Sequence, residues 1–481
     1  MNKSELRIAN QNPWYLMMTL HGDVGGTTNW EASRENARSW NVFVLSGLSD
    51  VAQQDAKNRI GEAYYPETPF DDILPVLKEK YEEQWNLRNP KGGPPPAMPD
   101  ARRSPQLTNT LFSQPLEISN MLLPAHTTFS ESVFEAPLLM LSGVALGVLV
   151  FDKTVFDGKV MIVASQLIGH AHFNQAVFKG VADFQFSTFH QTASFTGASF
   201  DELADFREVQ FEGAAKFTGW TSLQTEGEFA HFGTATLFSG ARFSDRADFF
   251  RRRFGPYETP ANSLTFANAI FQGPVSFEDA AFPDVMPVLT NTSLPASTKV
   301  TAIKDLWPPL KTKSTGERGL AHREAEHTSA TQDPEIIKAS SAALRHAMSR
   351  QMLPEEEHFF FRREMWAAGR TGPWLRRLPV LFYGAVSDYG HSISRPTLLL
   401  AALWVVGALI YATQLGFSVV KALVYSFAVM FKFFGLQGTY LKDETGDLSQ
   451  AMEFFAGGQT VMAFIVLFFL GLGLRTRFRL R

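Results

Sequence analysis

Residues 171–200 read AHFNQAVFKGVADFQFSTFHQTASFTGASF, and this stretch decides the fold. Phenylalanine recurs in it at steps that alternate between five and six residues, beginning with Phe173, Phe178 and Phe184. An α-helix has about 3.6 residues per turn, so such steps place successive rings on opposite sides of a helix. A coiled coil with an eleven-residue period is therefore excluded, and the Ser, Thr and Gly content also opposes a long helix.

The same steps extend in both directions along the chain. Followed backwards from Phe173, they fall on apolar residues as far as Leu107: Leu167, Ile162, Phe156, Phe151, Ala145, Met140, Phe134, Phe129, Leu123, Ile118 and Phe112. Followed forwards, the register slips near Leu223 and Phe229, resumes at Phe232, slips once more and ends at Phe282. The predicted core residues are Phe151, Phe156, Phe173, Phe178, Phe184, Phe189, Phe195, Phe200, Phe206, Phe211, Phe217, Phe232, Phe238, Phe243, Phe249, Phe254, Phe266, Phe271, Phe277 and Phe282.

A small residue, usually Ala, stands two positions before most of these rings, as Ala171, Ala176 and Ala182 do. Side chains two apart point the same way in an extended chain, so the small residue points inward beside its ring. If each step forms one side of a coil, four sides make about 22 residues, and coils stack at the strand separation of roughly 4.7–4.9 Å. The spacing predicts a β-solenoid over residues 107–282.

These tandem A-x-F units resemble the pentapeptide-repeat family, in a Phe-centred variant in which an extra residue recurs every second unit. The resemblance implies a mostly β fold, a right-handed quadrilateral β-helix. Three other segments are similar to membrane-bound members of the family: Asn12–Tyr15, residues 382–390 and residues 474–479. The family includes DNA mimics that act on topoisomerases, but the acidic excess over residues 151–282 is too mild to favour that role.

Composition narrows the function classes. The formal net charge of −4 argues against general nucleic-acid binding, so no nucleic-acid partner is expected. The absence of cysteine excludes disulfides, thiolate metal sites and cysteine nucleophiles. The N-terminal residues Met1 to Glu5 lack the apolar core of a signal peptide, which favours a cytoplasmic soluble region.

Two uncharged runs near the C-terminus predict membrane-spanning helices over about 396–417 and 454–474, since each reaches the roughly 20 residues that a bilayer requires. Arginines lie outside the pair of spans and fewer basic residues lie between them. The positive-inside rule therefore places both termini in the cytoplasm, in a multi-pass protein of the bacterial inner-membrane type whose expected partner is the lipid bilayer. The membrane-flanking basic residues are Arg376, Arg377, Arg395, Arg475, Arg477 and Arg479.

A short apolar segment, residues 422–431, lies between the spans and is too short to cross a bilayer. A span, a short helix, a loop and a second span are the outline of a pore domain. The possible pore segment comprises Phe433, Gly435, Gln437, Gly438, Thr439 and Tyr440, which lack the filter sequence of potassium channels. An amphipathic hairpin on the membrane surface is the alternative.

The remaining segments are assigned by composition. Residues 1–90 are predicted to form a mixed, helix-containing cap, with helices near Ala32–Val44 and Asp71–Leu87, and residues 91–106 a Pro/Gly-rich linker. Residues 283–332 are predicted to be a flexible linker and residues 333–395 a cytoplasmic helical coupling segment. The transmembrane hairpin then occupies 396–474 and a basic tail 475–481.

No motif in the sequence predicts catalysis, a metal site or a cofactor. His170 and His172 would share one strand face and could ligate a metal, but they are expected to be surface histidines. Arg251–Arg253 could contact a phosphate or an acidic lipid, but it is expected to be the basic corner of a coil. The leading hypothesis is a non-enzymatic, membrane-anchored interaction scaffold that binds a protein partner on its solenoid or a second copy of itself. The competing hypothesis is an oligomeric ion channel or pore built from the two spans and residues 418–440.

Overall fold

The computed structural model describes residues 3–22, 30–65, 69–219, 230–255, 257, 263–310, 332–432 and 449–479. The chain divides into two compact units, Met1–Gln351 and Met352–Arg481. The first unit contains a parallel β-solenoid of about eight turns, and the regular elements of the second, over its described residues, are helices.

Four parallel sheets form the sides of the solenoid, and we name them sheets I to IV. Sheet I contains Arg7–Ile8, Thr110–Phe112, Val133–Phe134, Val155–Phe156, Val177–Phe178, Ser199–Phe200, His231–Phe232 and Arg253–Phe254. Sheet II contains Leu116–Glu117, Leu138–Leu141, Val160–Val163, Ala182–Asp183, Leu203–Asp205, Ala235–Leu237 and Leu264–Thr265. Sheet III contains Leu122–Leu123, Val144–Ala145, Gln166–Leu167, Thr188–Phe189, Gln210–Phe211, Arg242–Phe243 and Ile270–Phe271. Sheet IV contains His126–Thr128, Val148–Val150, Ala171–His172, Ala193–Ser194, Ala215–Lys216, Ala247–Asp248, Val275–Phe277 and Lys299–Val300.

Where the repeat carries no insertion, a coil returns to the same sheet after 22 residues, as the spacing predicts. Phe156 therefore pairs with Phe178, and Phe178 pairs with Phe200. The predicted register slip at Leu223 and Phe229 lies outside the described residues, and pairing resumes with Phe200 opposite Phe232. The prediction of a four-sided, Phe-stacked solenoid is confirmed.

The alternation of five- and six-residue steps has a backbone cause. In a five-residue step the chain makes a tight turn, in which the amide of Ala176 donates to the carbonyl of Phe173 at 3.2 Å. Gln175, the third residue of that turn, has a φ of 58°, and Phe186 and Gly197 occupy the same position in later coils with φ of 59° and 69°. A positive φ at this position is characteristic of a type II turn.

Glycines at the six-residue corners allow consecutive coils to approach closely. A β-carbon added to Gly169 would lie 2.3 Å from the carbonyl carbon of Gly147, one coil earlier. The backbones of these two corners are therefore in direct contact, which explains why the wider steps carry glycine.

The helices before the solenoid cover its first coil. They are α1 (Pro13–Met18), α2 (Trp30–Ser46), α3 (Asp50–Ile60) and α4 (Phe70–Arg88), with short 3₁₀ turns at Lys3–Glu5, Ala9–Gln11 and Glu62–Tyr64. On α2, Trp40 Nε1 donates to the carbonyl of Leu122 at 2.7 Å, and Asn41 accepts from the amide of the same residue at 2.8 Å. These side chains satisfy backbone groups that an open sheet edge would leave unpaired.

The solenoid continues beyond Phe282, so the prediction of a flexible linker from residue 283 is wrong for the described part of that segment. Val288 bridges to Thr265, and Ser293 bridges to Ile270. Trp307, which follows a 3₁₀ turn at Lys304–Leu306, stacks on Phe282 with ring centroids 4.6 Å apart. Smaller apolar residues replace phenylalanine in this last coil, and the backbone ladder continues without the Phe repeat.

The predicted coupling segment, residues 333–395, is divided between the two units. Its first helix, α5 (Pro334–Arg350), covers the last coil, where Ser340 accepts from the amide of Leu289 at 3.2 Å and Arg350 donates to the carbonyl of Leu294 at 2.9 Å. The rest belongs to the second unit, which comprises α6 (Pro354–Ala368), α7 (Trp374–Ser387), α8 (Ser394–Leu415), α9 (Val419–Met430) and α10 (Gln450–Arg479).

Helices α8 and α10 are long and apolar enough to cross a membrane, judged by length and composition. Only 17% of the most apolar window of each is buried within the chain. The core helix of a water-soluble protein would be mostly buried, so this exposure favours a lipid environment.

Candidate functional site: the solenoid interior and a buried polar network between helices

The predicted solenoid core residues all lie inside the coils, each with at most 3% of its surface exposed. Their rings form a ladder along each sheet, with centroids 4.7 Å apart between Phe173 and Phe195 and 4.9 Å apart between Phe195 and Phe217. Rings from different sheets meet edge to face, as Phe195 does with Phe184 at 5.4 Å. Stacked and edge-to-face pairs are both favourable aromatic geometries, so the interior is filled without polar contacts between rings.

Arg252 is the exception within this interior: it belongs to the predicted basic corner Arg251–Arg253, but its side chain points inward. Arg252 occupies the position two residues before Phe254, where the preceding coils carry Ala198 and Ala230, and it is fully buried. Its guanidinium lies over the ring of Phe232 at 4.2 Å. It donates a hydrogen bond to the carbonyl of His231 at 3.2 Å, and no described carboxylate pairs with it. Burial lowers the pKa of the Arg252 guanidinium to about 9.

His170 and His172 lie on sheet IV with ring centroids 6.1 Å apart. Burial is the main cause of a lowered pKa at His172. Among the described residues, no group of three or more metal-ligating side chains converges anywhere.

A network of buried polar side chains joins the three helices α8, α9 and α10. Gln459 on α10 is at its centre, with 5% of its surface exposed. Its Oε1 accepts from the Tyr411 hydroxyl on α8 at 2.9 Å, and its Nε2 donates to Ser426 Oγ on α9 at 2.8 Å. Ser426 in turn donates to the carbonyl of Trp404 at 2.8 Å. The three helices are thus joined by side-chain hydrogen bonds.

The sequence places a glycine where this network needs space. A β-carbon added to Gly407 would lie 2.2 Å from Gln459 Nε2 and 2.6 Å from Ser426 Oγ. Sequence inspection missed the network, because a single uncharged polar residue inside an apolar run does not interrupt a predicted span. The signal available was the occurrence of Gln459, Ser426 and Tyr411 in segments otherwise dominated by apolar residues.

Helix α9 runs back along α8 and ends near its middle. Its first turns lie beside the end of α8, where the ring of Tyr425 meets that of Tyr411 at 4.7 Å. Further along, the Ser426 hydroxyl donates to the carbonyl of Trp404 at 2.8 Å, and near the end of α9 the carbonyl of Val429 accepts from Thr460 Oγ1 on α10 at 2.8 Å. Trp404 lies about 15 Å from the start of α8 at 1.5 Å per residue. Helix α9 therefore reaches about halfway along the two long helices.

Four of the six arginines that are predicted to flank a membrane lie at one end of this unit. A β-carbon on Gly473 would meet Ile393 and the carbonyls of Gly390 and Ser392 at 3.6–3.7 Å, so the end of α10 lies beside the start of α8. This places Arg395 and the arginines of the last turns of α10 at the same end; Arg475 and Arg477 there are exposed, and Arg479 is the last residue of the helix. Arg376 and Arg377 lie on α7. The predicted pore segment, Phe433 to Tyr440, lies outside the described residues.

Comparison with known families identifies the repeat. Residues 173–221 match the family described as pentapeptide repeats, with nine copies. Neither the curated proteins nor the solved structures include a match to the chain. Together with the four sheets and the Phe ladders, this match shows that residues 173–221 are pentapeptide repeats within a Phe-rich solenoid.

Proposed function

We propose that this protein is a non-enzymatic, membrane-anchored scaffold whose solenoid binds a protein partner in the cytoplasm. A pentapeptide-repeat solenoid typically mediates structure or interaction rather than catalysis. Helices α8 and α10 supply the anchor, and the arginines at their shared end favour a cytoplasmic location for that end.

An apolar patch on the outer face of sheet II carries the proposal. Strand residues alternate inward and outward, so Leu139, Leu141, Met161 and Val163 point outward from two neighbouring strands. Leu139 pairs with Met161, and Leu141 pairs with Val163, and all four are partly exposed. We call these four residues the sheet II patch. Contiguous exposed apolar residues on a protein surface are typical of interaction sites.

Site-specific photocrosslinking in intact cells tests the scaffold. A photoreactive amino acid at Met161 on sheet II is compared with the same substitution at Gln210 on sheet III and at Lys216 on sheet IV, which are exposed. We expect a discrete crosslinked partner from Met161 alone, and its loss when Leu139 is replaced by Lys. Absence of any crosslink from Met161, or equal crosslinking from all three sheets, would contradict the proposal.

A second function, an oligomeric pore, is favoured by the course of α9. A helix that returns along one span and ends near its middle has the outline of a re-entrant pore helix. The carbonyl end of such a helix carries partial negative charge, which would favour a cation near the centre of the bilayer. We expect a pore-forming chain to be oligomeric in detergent and to conduct ions in planar bilayers. A monomeric state in detergent, or no ionic current under either cation or anion gradients, would exclude a pore. Neither result would contradict the scaffold function.

A further inference from the structure

Helix α7, which precedes the first long helix, carries an apolar face that no other described part of the second unit covers. Its residues Trp374, Leu375, Leu378, Leu381 and Phe382 are 66%, 63%, 51%, 44% and 40% exposed. Trp374, Leu378 and Leu381 follow the i, i+4, i+7 spacing of one helix face. Residues of this size are seldom left in water along a whole helix face, so this face has an occupant outside the helix bundle.

The position of α7 beside α10 indicates what that occupant is. Phe382 and Tyr383 pack on Phe469 of α10, with ring centroids 5.8 and 5.3 Å apart. Phe469 precedes Arg475 by six residues, which is about 9 Å along a helix. If Arg475 marks the headgroup level, α7 lies within the outer part of the same leaflet. Interfacial helices bury their apolar faces about 5–10 Å into the headgroup boundary, so the depths agree.

The charges of α7 fit a membrane surface as well. Arg376 and Arg377 lie on the helix and Arg370 precedes it, while no acidic residue occurs from Thr371 to Ser387. Arg376 is exposed. Basic residues beside an inserted apolar face attract anionic lipid headgroups, with about 1 kcal/mol per residue near such a surface.

We propose that α7 is an interfacial helix that lies in the cytoplasmic leaflet, with its apolar face among the acyl chains and Arg376 and Arg377 on anionic lipid headgroups. This inference rests on the proposed membrane anchoring. It adds a third contact between the chain and the bilayer, parallel to the surface, directly before the first span.

The absence of cysteine in the sequence makes the test direct. Three single-cysteine variants of the full chain, Leu378→Cys on α7, Val461→Cys on α10 and Val51→Cys on α3, are labelled with an environment-sensitive fluorophore and reconstituted into vesicles. The vesicles contain phosphatidylcholine with phosphatidylglycerol. Quenching by doxyl-labelled lipid reports contact with acyl chains, and quenching by iodide reports contact with water.

We expect the labels at Leu378 and Val461 to be quenched by doxyl lipid and protected from iodide, and the label at Val51 to behave in the opposite way. A label at Leu378 in water, with Val461 in lipid, would overturn the inference while leaving the anchor intact. Both labels in water would instead overturn the proposed anchoring. Protection of Leu378 from both quenchers would mean that protein, such as a second copy, covers the face, and would also overturn the inference.

The headgroup contact is tested with the same label. We expect doxyl-labelled phosphatidylglycerol to quench the Leu378 label about twofold more than doxyl-labelled phosphatidylcholine at equal mole fraction, because of the two arginines. The Arg376→Gln/Arg377→Gln variant should lose this preference and keep its protection from iodide. Equal quenching by the two lipids before the arginines are replaced would refute the headgroup contact.

Discussion

The solenoid and the C-terminal helices use opposite chemistry to hold their elements together. Between the coils of the solenoid, rings such as Phe173 and Phe195 stack at 4.7 Å without polar contacts between them. Between α8, α9 and α10, Gln459 joins its neighbours through hydrogen bonds to Tyr411 and Ser426. Several large apolar side chains of those helices, such as Leu409 at 64% exposed and Phe464 at 59%, point outward, although small residues such as Ala408 and Ala422 pack between the helices.

The difference fits the environments that we propose for the two regions, water for the solenoid and lipid for the helices. In water, burying apolar area is the main favourable term, so an apolar interior stabilises the solenoid and a buried charge there is costly. In lipid, the surroundings are as apolar as a leucine side chain, so apolar burial contributes little and hydrogen bonds and close packing hold helices together. Four substitutions, taken from the largest expected effect to the smallest, test this contrast.

Phe195→Ala should have the largest effect. Its ring stacks between those of Phe173 and Phe217, so removal leaves a cavity that the neighbouring coils cannot fill. We expect the free energy of unfolding to fall by about 3–5 kcal/mol. Urea unfolding of the detergent-solubilised protein, followed by circular dichroism, measures it. Phe186→Ala is the matched control, because Phe186 lies on the neighbouring corner and is 59% exposed. Equal losses from the two variants would contradict a stacked apolar interior.

Arg252→Met should stabilise the solenoid, since it replaces a buried charge with an apolar side chain of similar length. We expect a gain of about 1–4 kcal/mol in the free energy of unfolding at neutral pH. Burial lowers the pKa of Arg252 in the folded chain to about 9, well below its ordinary value. Above about pH 9 the folded state therefore binds fewer protons than the unfolded state. Stability of the unsubstituted protein should therefore rise with pH above about 9, and the advantage of Met should shrink there.

The control for this substitution is Arg251→Met, one residue away. Arg251 is an exposed side chain that faces Asp279 at 3.6 Å, so its replacement should change stability by less than about 0.5 kcal/mol. Urea unfolding at pH 7, 9 and 10.5 compares the two variants. Destabilisation by Arg252→Met at pH 7 would show that the contacts of the guanidinium with Phe232 and His231 outweigh its cost of burial.

Gln459→Leu should destabilise the helical unit although it makes α10 more apolar. The substitution removes hydrogen bonds to Tyr411, Ser426 and the carbonyl of Leu403. We expect a loss of about 1–2 kcal/mol, measured by unfolding in mixed micelles of increasing SDS content. Thr413→Val is the control, because Thr413 bonds only to carbonyls of its own helix. If Gln459→Leu left stability unchanged or raised it, apolar burial would stabilise this unit as it stabilises the solenoid, and the contrast between the two regions would fail.

The solenoid could be predicted from the sequence because one residue type, phenylalanine, recurs at nearly constant spacing. Each Phe step fixes a sheet, and the pairing of Phe156 with Phe178 follows from the 22-residue coil without further information. The end of the solenoid was not predicted, since Val288 and Ser293 continue the ladders without phenylalanine. Backbone pairing there depends on the coil beneath, which a search for Phe cannot detect.

Arg252 and the Gln459 network were harder to predict from the sequence. Both depend on where a side chain points in the folded chain, and residue type alone does not determine that. Arg251, Arg252 and Arg253 are adjacent and identical in type, yet only Arg252 points between the rings. Gln459 became recognisable as the centre of a network only when three helices placed Ser426 and Tyr411 beside it. The repeat could be predicted from residue type alone. The contacts of Arg252 and Gln459 could be recognised only once the positions of the neighbouring strands and helices were known.

Phe186→Gly should have the smallest effect. It tests whether the backbone of the solenoid is strained at its five-residue corners. Phe186 has a φ of 59° in a five-residue corner, a conformation that costs a side chain about 1–2 kcal/mol and costs glycine nothing. Glycine is also more flexible in the unfolded chain, which offsets part of that gain. We therefore expect a net stabilisation of about 0.5 kcal/mol, measured by urea unfolding. Gly197→Ala, at the equivalent corner with a φ of 69°, should lose about 1 kcal/mol. If both substitutions proved neutral, the corners would tolerate side chains freely, and the ring ladders alone would determine the coil.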